Sequence, residues 1–203
     1  MNRRQFLLGT AVLVMTGAPL RAEIQEHSSF FDRVFGGLTS SGSRRNAKKY
    51  AGKQIVEFPT SEPPGTIVIK TRERALYLVQ PGARAIAYGI GVGRAGFRWS
   101  GTARIGNKAE WPAWHPPREM IERELKQYGR QLPERMEGGP ENPLGARALY
   151  LFAGNKDTLY RIHGTNAPNT IGQALSSGCI RMLNEEIIDL YDRVDIDTKV
   201  VVS

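Results

Sequence analysis

Residues 66–93 read TIVIKTRERALYLVQPGARAIAYGIGVG, and their pattern decides the fold class. Thr66–Lys70 and Ala75–Val79 are short runs rich in β-branched and aromatic residues. Gln80-Pro81-Gly82-Ala83 follows with turn chemistry, because proline presets φ and glycine accepts positive φ. Arg84–Gly93 then returns as a further strand. Closely spaced short strands with turn residues between them predict an antiparallel meander. Working outward, Gln54–Phe58 reads as a strand and Pro59–Gly65 as a turn, and strands resume at Arg147–Phe152, Leu159–His163 and Lys199–Val202. Beyond a helical turn or two at Phe30–Phe35, helical pattern appears at Arg118–Tyr128 and in a segment opening at Asn184. Asn184 reads as an N-cap, with Glu185 and Glu186 in the first turn. Asn169–Leu175 reads as a short helix or turn. The expected fold is mostly β, of β-sandwich or meander type, with short helices.

Residues 107–146 read as an insertion between strands. It opens on Trp111, Pro112, Trp114, His115, Pro116 and Pro117 and closes on Gly138–Pro143. Connections of this length are usually functional or mobile, so a lid or substrate-channel wall is expected. An aromatic satellite core is the alternative, and His115 is read as structural.

The chain has 203 residues, of which 40% are hydrophobic. That is enough for one packed domain and excludes global disorder. Residues 1–22 read as an export signal: Arg3-Arg4 precede a short apolar run, and small residues lead to Ala22. The paired arginines resemble a twin-arginine signal. A periplasmic protein cleaved near Ala22 is expected. The loss of three arginines takes the net charge from +8 to +5, which suits a partner carrying carboxylates or phosphates, such as a wall polymer. No nucleic-acid-reading motif is present. Residues 23–63 read as a basic lead-in and linker, and the catalytic domain is placed at 64–203.

Gly89-Ile90-Gly91-Val92-Gly93 lacks the spacing of a dinucleotide-binding loop. These glycines read as places where strands pass closely. The chemistry lies further on. Cys179 is the only cysteine, so an internal disulfide is impossible, and a lone thiol in an oxidising compartment is either deeply buried or used. His163 lies sixteen residues upstream and ends an expected strand. A thiol becomes a nucleophile when a base takes its proton, and His163 is the candidate base. Gly164 lets the chain turn beside the imidazole. Gly178 lets the backbone approach a bound carbonyl, so that N–H groups at 178 and 179 can hold a developing oxyanion. Arg181, two residues past the thiol, shares its face in an extended segment; it is a candidate for holding a substrate carboxylate, or else a structural ion pair. His115, His163 and Cys179 lack regular metal-ligand spacing.

The run HGTNAPNTIGQALSSGCIRMLN, from His163 to Asn184, resembles the catalytic signature of the L,D-transpeptidases with a YkuD-type domain, the ErfK/YbiS/YcfS/YnhG-like group. The resemblance extends over 64–203, through PGTIVI, GIGVGR, NKAEWPAW, NPLGARALYL and the closing LYDRV and TKVVV. It implies a mostly β catalytic domain that acts on peptidoglycan stem peptides through a cysteinyl acyl-enzyme, giving 3→3 cross-links, and that takes carbapenem-type β-lactams as inhibitors. Cys179 would be the nucleophile, His163 the general base and acid, and Arg181 the family arginine. Ser177 and Gly178 would line the oxyanion and substrate site, with Gly164, Thr165 and Ser176 in support. A backbone carbonyl can orient the histidine, and no metal or organic cofactor is implied. Ser177 departs from the pattern, because many members carry a second histidine there. An outer-membrane protein amine in place of a second stem is a variant acceptor. Hydrolysis as an L,D-carboxypeptidase and a non-catalytic wall-binding module are the competing readings.

Overall fold

The computed structural model describes residues 52–93, 100–176 and 178–203. The expected export signal, the lead-in up to residue 51 and Ser177 lie outside them.

Eleven strands and two α-helices follow one another along the described residues. They are β1 Gln54–Glu57, β2 Ile67–Lys70, β3 Ala75–Gln80, β4 Arg84–Gly89, β5 Val92–Gly93, β6 Gly101–Glu110, α1 Arg118–Tyr128, β7 Arg147–Ala153, β8 Lys156–His163, β9 Ala174–Ser176, β10 Ile180–Arg181, α2 Asn184–Arg193 and β11 Lys199–Val202. A 3-10 turn, Pro168–Thr170, precedes β9. Nine strands form one sheet in the order β1-β4-β3-β2-β11-β6-β7-β8-β10, and β5 and β9 form a separate pair. The meander β2-β3-β4 is antiparallel, as its turn residues require. Gly82 and Ala83 both take positive φ in the β3–β4 connection. The late strands depart from the meander: β11 lies parallel to β2, and β10 parallel to β8.

One continuous core joins most of these elements. Ile67, Leu76, Tyr88, Ile105, Leu149, Ile162, Met182 and Ile187 are at most 1% exposed within it. Apolar area removed from water at about 25 cal/mol per Å² is the main stabilising contribution of such a cluster. A smaller group, Phe58, Val68, Val79 and Ala85, packs on the other face of β2–β4, where Phe58 stacks on Tyr77. The last part of the basic lead-in thus joins the fold. β1 pairs with β4, the Gly52 N–H donates to Glu186, and Lys53 pairs with Asp189 on α2.

Four expectations need correction. β6 occupies 101–110, so the insertion begins at Trp111 and not at 107. Only Ala103 and Ile105 of this strand are buried apolar side chains, and a register shift between Ile105 and Asn107 breaks its alternation. The strand beginning at Arg84 breaks after Gly89 and resumes only at Val92. The 169–175 segment opens in the 3-10 turn Pro168–Thr170, as a short helix or turn was expected to, but its end, from Ala174, is the strand β9. Asn184 is the first helical residue of α2, not its cap; Leu183 holds that position without a side-chain hydrogen bond.

The chain just past β4, the second strand in the order, meets β10 at the far end. Gly91, just past β4, exchanges backbone hydrogen bonds with Arg181 of β10, each 2.8 Å long. The sheet therefore curls around its core, and the seam brings the 89–93 glycines to the β8–β10 edge.

Candidate functional site

The site is built where β8 ends and β10 lies beside it. Ile180 pairs with Ile162 and Arg181 with His163, and the Met182 N–H donates to the His163 carbonyl at 2.8 Å. Ile162 and Ile180 face the core. Strand alternation then puts Arg161 and His163 of β8, with Cys179 and Arg181 of the other chain segment, on the opposite face. One step back in register sets Cys179 level with Arg161 and diagonal to His163. A hydrogen bond between Cys179 and the Arg161 backbone agrees with that placement.

His163 is 5% exposed. Its Nδ1 lies 2.6 Å from the Gly164 carbonyl oxygen. A carbonyl can only accept, so Nδ1 carries the proton and the Nε2 lone pair remains available. The His163 pKa is pulled down to about 4, first by burial and then by the Arg181 and Arg161 guanidiniums; the Gly164 and Leu144 carbonyls act in the opposite sense. At neutral pH the ring is uncharged.

Cys179 is partly exposed. Burial of its sulfur pushes the thiol upward, opposed by the Arg161 backbone hydrogen bond and by the Arg161 and Arg181 charges. Burial thus favours the neutral form of both groups, the imidazole of His163 and the thiol of Cys179.

Gly178 precedes the thiol at φ +133°, a conformation that side chains rarely adopt. Arg181 is 6% exposed, and its Nε and Nη2 have no hydrogen-bond partner among the described residues. Burial draws its guanidinium down to about 10, so it stays charged at neutral pH. Gly91 makes room for it, because a Cβ there would lie 3.2 Å from Nη2 and 3.1 Å from the Thr170 carbonyl. Arg161 is committed elsewhere, to a two-pronged pair with Asp157 at 2.7 and 2.8 Å and to the Tyr150 ring.

Thr165 is buried, and its hydroxyl accepts from the Ala167 N–H at 3.0 Å. Ser176 contributes its backbone to β9. His115 is exposed on the insertion.

Sequence reasoning passed over three contributors. Gly91 read as a close strand passage, and its relation to Arg181 is tertiary. Arg161 sits two residues before His163, so β alternation alone places it on the same face. Asn184 was masked by the acidic first turn behind it, which imitates a capping signal.

The stretch 64–202 matches the family model of the L,D-transpeptidase catalytic domain, YkuD. Two Escherichia coli K12 proteins described as probable L,D-transpeptidases, ErfK/SrfK and YbiS, are each 37% identical over 139 residues. That is 66% of this chain and 42% and 43% of theirs, so the match spans well under half the length of these relatives. A crystal structure from Brucella melitensis, described as a probable carnitine operon oxidoreductase, is 53% identical and covers 77% of this chain and 99% of that one, with TM-score 0.51. The Ldtfm–avibactam carbamoyl enzyme has TM-score 0.51 at 15% identity, over 70% of this chain and 49% of that one, a likeness of fold alone. With 64–202 matched by the family model, this chain belongs to the L,D-transpeptidase catalytic-domain (YkuD) family.

Proposed function

We propose that this protein is an exported peptidoglycan L,D-transpeptidase that works through a cysteinyl acyl-enzyme. The observation that carries the reading is the register of β10 on β8. That register supports a Cys179 thiol on the same face as the His163 imidazole, whose Nδ1 is hydrogen-bonded to the Gly164 carbonyl, so that Nε2 would act as the base. Cys179 Sγ attacks the carbonyl of the amide joining the third stem residue to D-Ala, and its proton passes to His163 Nε2. The oxyanion is met by the N–H groups of Gly178 and Cys179, a contribution of about 3 kcal/mol per donor in comparable sites. Collapse breaks the C–N bond, and the imidazolium returns the proton to the departing D-Ala amine. The amine of a second stem then attacks the thioester. His163 takes its proton, the thiol is regenerated, and a 3→3 cross-link results. The Arg181 Nε and Nη2, which meet no partner among the described residues, suit a carboxylate of the donor stem. The segment from Trp111 to Ala146 serves as a wall over the ring, since the Leu144 carbonyl reaches His163.

The test is to incubate the protein with disaccharide-tetrapeptide and weigh the products. A dimer with one D-Ala released supports transfer; tripeptide alone supports hydrolysis. A carbapenem should add once, on Cys179, and Cys179→Ala should abolish the adduct. The description of the Brucella protein names a different reaction class. Here the glycines at 89–93 are used in a strand end, a pairing with Arg181 and β5, not in a loop between a strand and a helix N-terminus. Failure of both product and adduct assays would reopen that alternative.

A further inference from the structure

The side chain of Asn184 does no work for its own helix. Its Oδ1 accepts from the Thr165 N–H at 3.2 Å and from the Ala146 N–H at 3.0 Å. The approach is close, because a Cβ on either Gly164 or Gly145 would lie 2.2 Å from that oxygen. Two glycines on separate segments thus leave space for one carboxamide.

The Thr165 N–H and the Gly164 carbonyl are the two ends of a single peptide unit. Asn184 holds one end, and His163 Nδ1 donates to the other at 2.6 Å. The Ala146 bond anchors the same oxygen to the chain just past Leu144, whose carbonyl also faces the ring. We infer that Asn184 is a positioning residue that completes a relay from its carboxamide through the 164–165 peptide to the His163 imidazole, fixing the ring's tautomer and aim. The inference rests on His163 as the base. The peptide occupies the place that a carboxylate fills in a Ser-His-Asp triad. Hydrogen bonds in series polarise one another, so an acceptor on Thr165 N–H strengthens the Gly164 carbonyl as the partner of Nδ1–H. The charged groups facing the ring, Arg181 and Arg161, both disfavour imidazolium, and Asn184 secures orientation without adding charge.

The test compares full-length wild type with Asn184→Ala and Asn184→Asp. Its readouts are the ¹⁵N spectrum of the His163 ring, which reports the tautomer without any turnover, and the pH profile of carbapenem acylation. Asn184→Ala should slow acylation about tenfold to a hundredfold through loss of aim and should mix the two ring tautomers. Asn184→Asp keeps both acceptor bonds. It should recover most of that rate at alkaline pH, while its added charge moves the acid limb up by about one pH unit. Unchanged tautomer and limb in the folded variants would overturn the inference and leave Asn184 a brace between loops, even if the rate falls. Should Asn184→Ala not fold, the limb of Asn184→Asp decides alone. His163→Ala separates the two levels: acylation at the wild-type rate in that variant would refute the base assignment, whereas the ring spectrum tests the relay independently.

Discussion

The acid limb of the acylation rate is the sharpest consequence of this site. His163 is buried among backbone carbonyls and guanidiniums, and its pKa is drawn from 6.5 to about 4. A base works only when unprotonated. At pH 5 a group with a pKa of about 4 is about nine-tenths neutral, whereas a solvated imidazole of pKa about 6.5 would be about 3% neutral. Acylation at pH 5 should therefore keep close to its neutral-pH rate, where a solvated base would retain about one part in thirty. The assay is single-turnover acylation by a carbapenem, followed by intact-protein mass from about pH 4 to pH 8. The same burial appears in stability with a defined sign. The folded pKa lies below the unfolded one, so the unfolded chain binds the proton first. Stability falls as pH drops below 6.5 and levels off below about 4. Across that window the wild type should lose up to about 3 kcal/mol relative to His163→Gln, measured by urea unfolding. A rate limb within about half a unit of 6.5, with no such difference in stability, would refute the account of a dry, neutral ring.

Glu186 gives an effect of opposite direction. Burial raises its carboxyl from 4.5 to about 7, so the fold is penalised as pH rises from 4.5 and fully so above about 7. Glu186→Gln keeps the acceptor for the Gly52 N–H and should raise stability above neutrality by at most about 3 kcal/mol, with little difference at acid pH; thermal melts across pH check it. Gly91→Ala places a Cβ 3.2 Å from the Arg181 guanidinium. It should leave the fold intact and raise the KM for tetrapeptide donor several-fold, about 1 kcal/mol, whereas an unchanged KM would remove Arg181 from substrate binding. Leu149→Ala empties a fully buried position paired with Ile162 and should cost about 2–5 kcal/mol in urea unfolding.

Much of the fold was legible because local chemistry repeats in it. The Pro81-Gly82 turn, the apolar run of β3 and the amphipathic stretch of α1 are each written within a few residues. β6 was not legible, since its burial depends on β7 and β11 across the sheet and its own residues are largely polar or charged. The thiol, the histidine and the arginine could be picked out as chemistry by their types and spacing.

Their mutual placement is tertiary. A parallel pairing of β10 with β8 cannot be read from either strand alone, because two residues carry too little pattern to choose a neighbour. The pairing of Gly91 with Arg181 and the wedge of Asn184 between Gly145 and Gly164 join segments far apart in the chain. The sequence by itself determined which reactive groups the protein owns. Only the folded sheet decided that the imidazole is buried and uncharged and which carbonyl it meets, because desolvation and hydrogen-bond geometry depend on everything packed around a group, not on its chain neighbours.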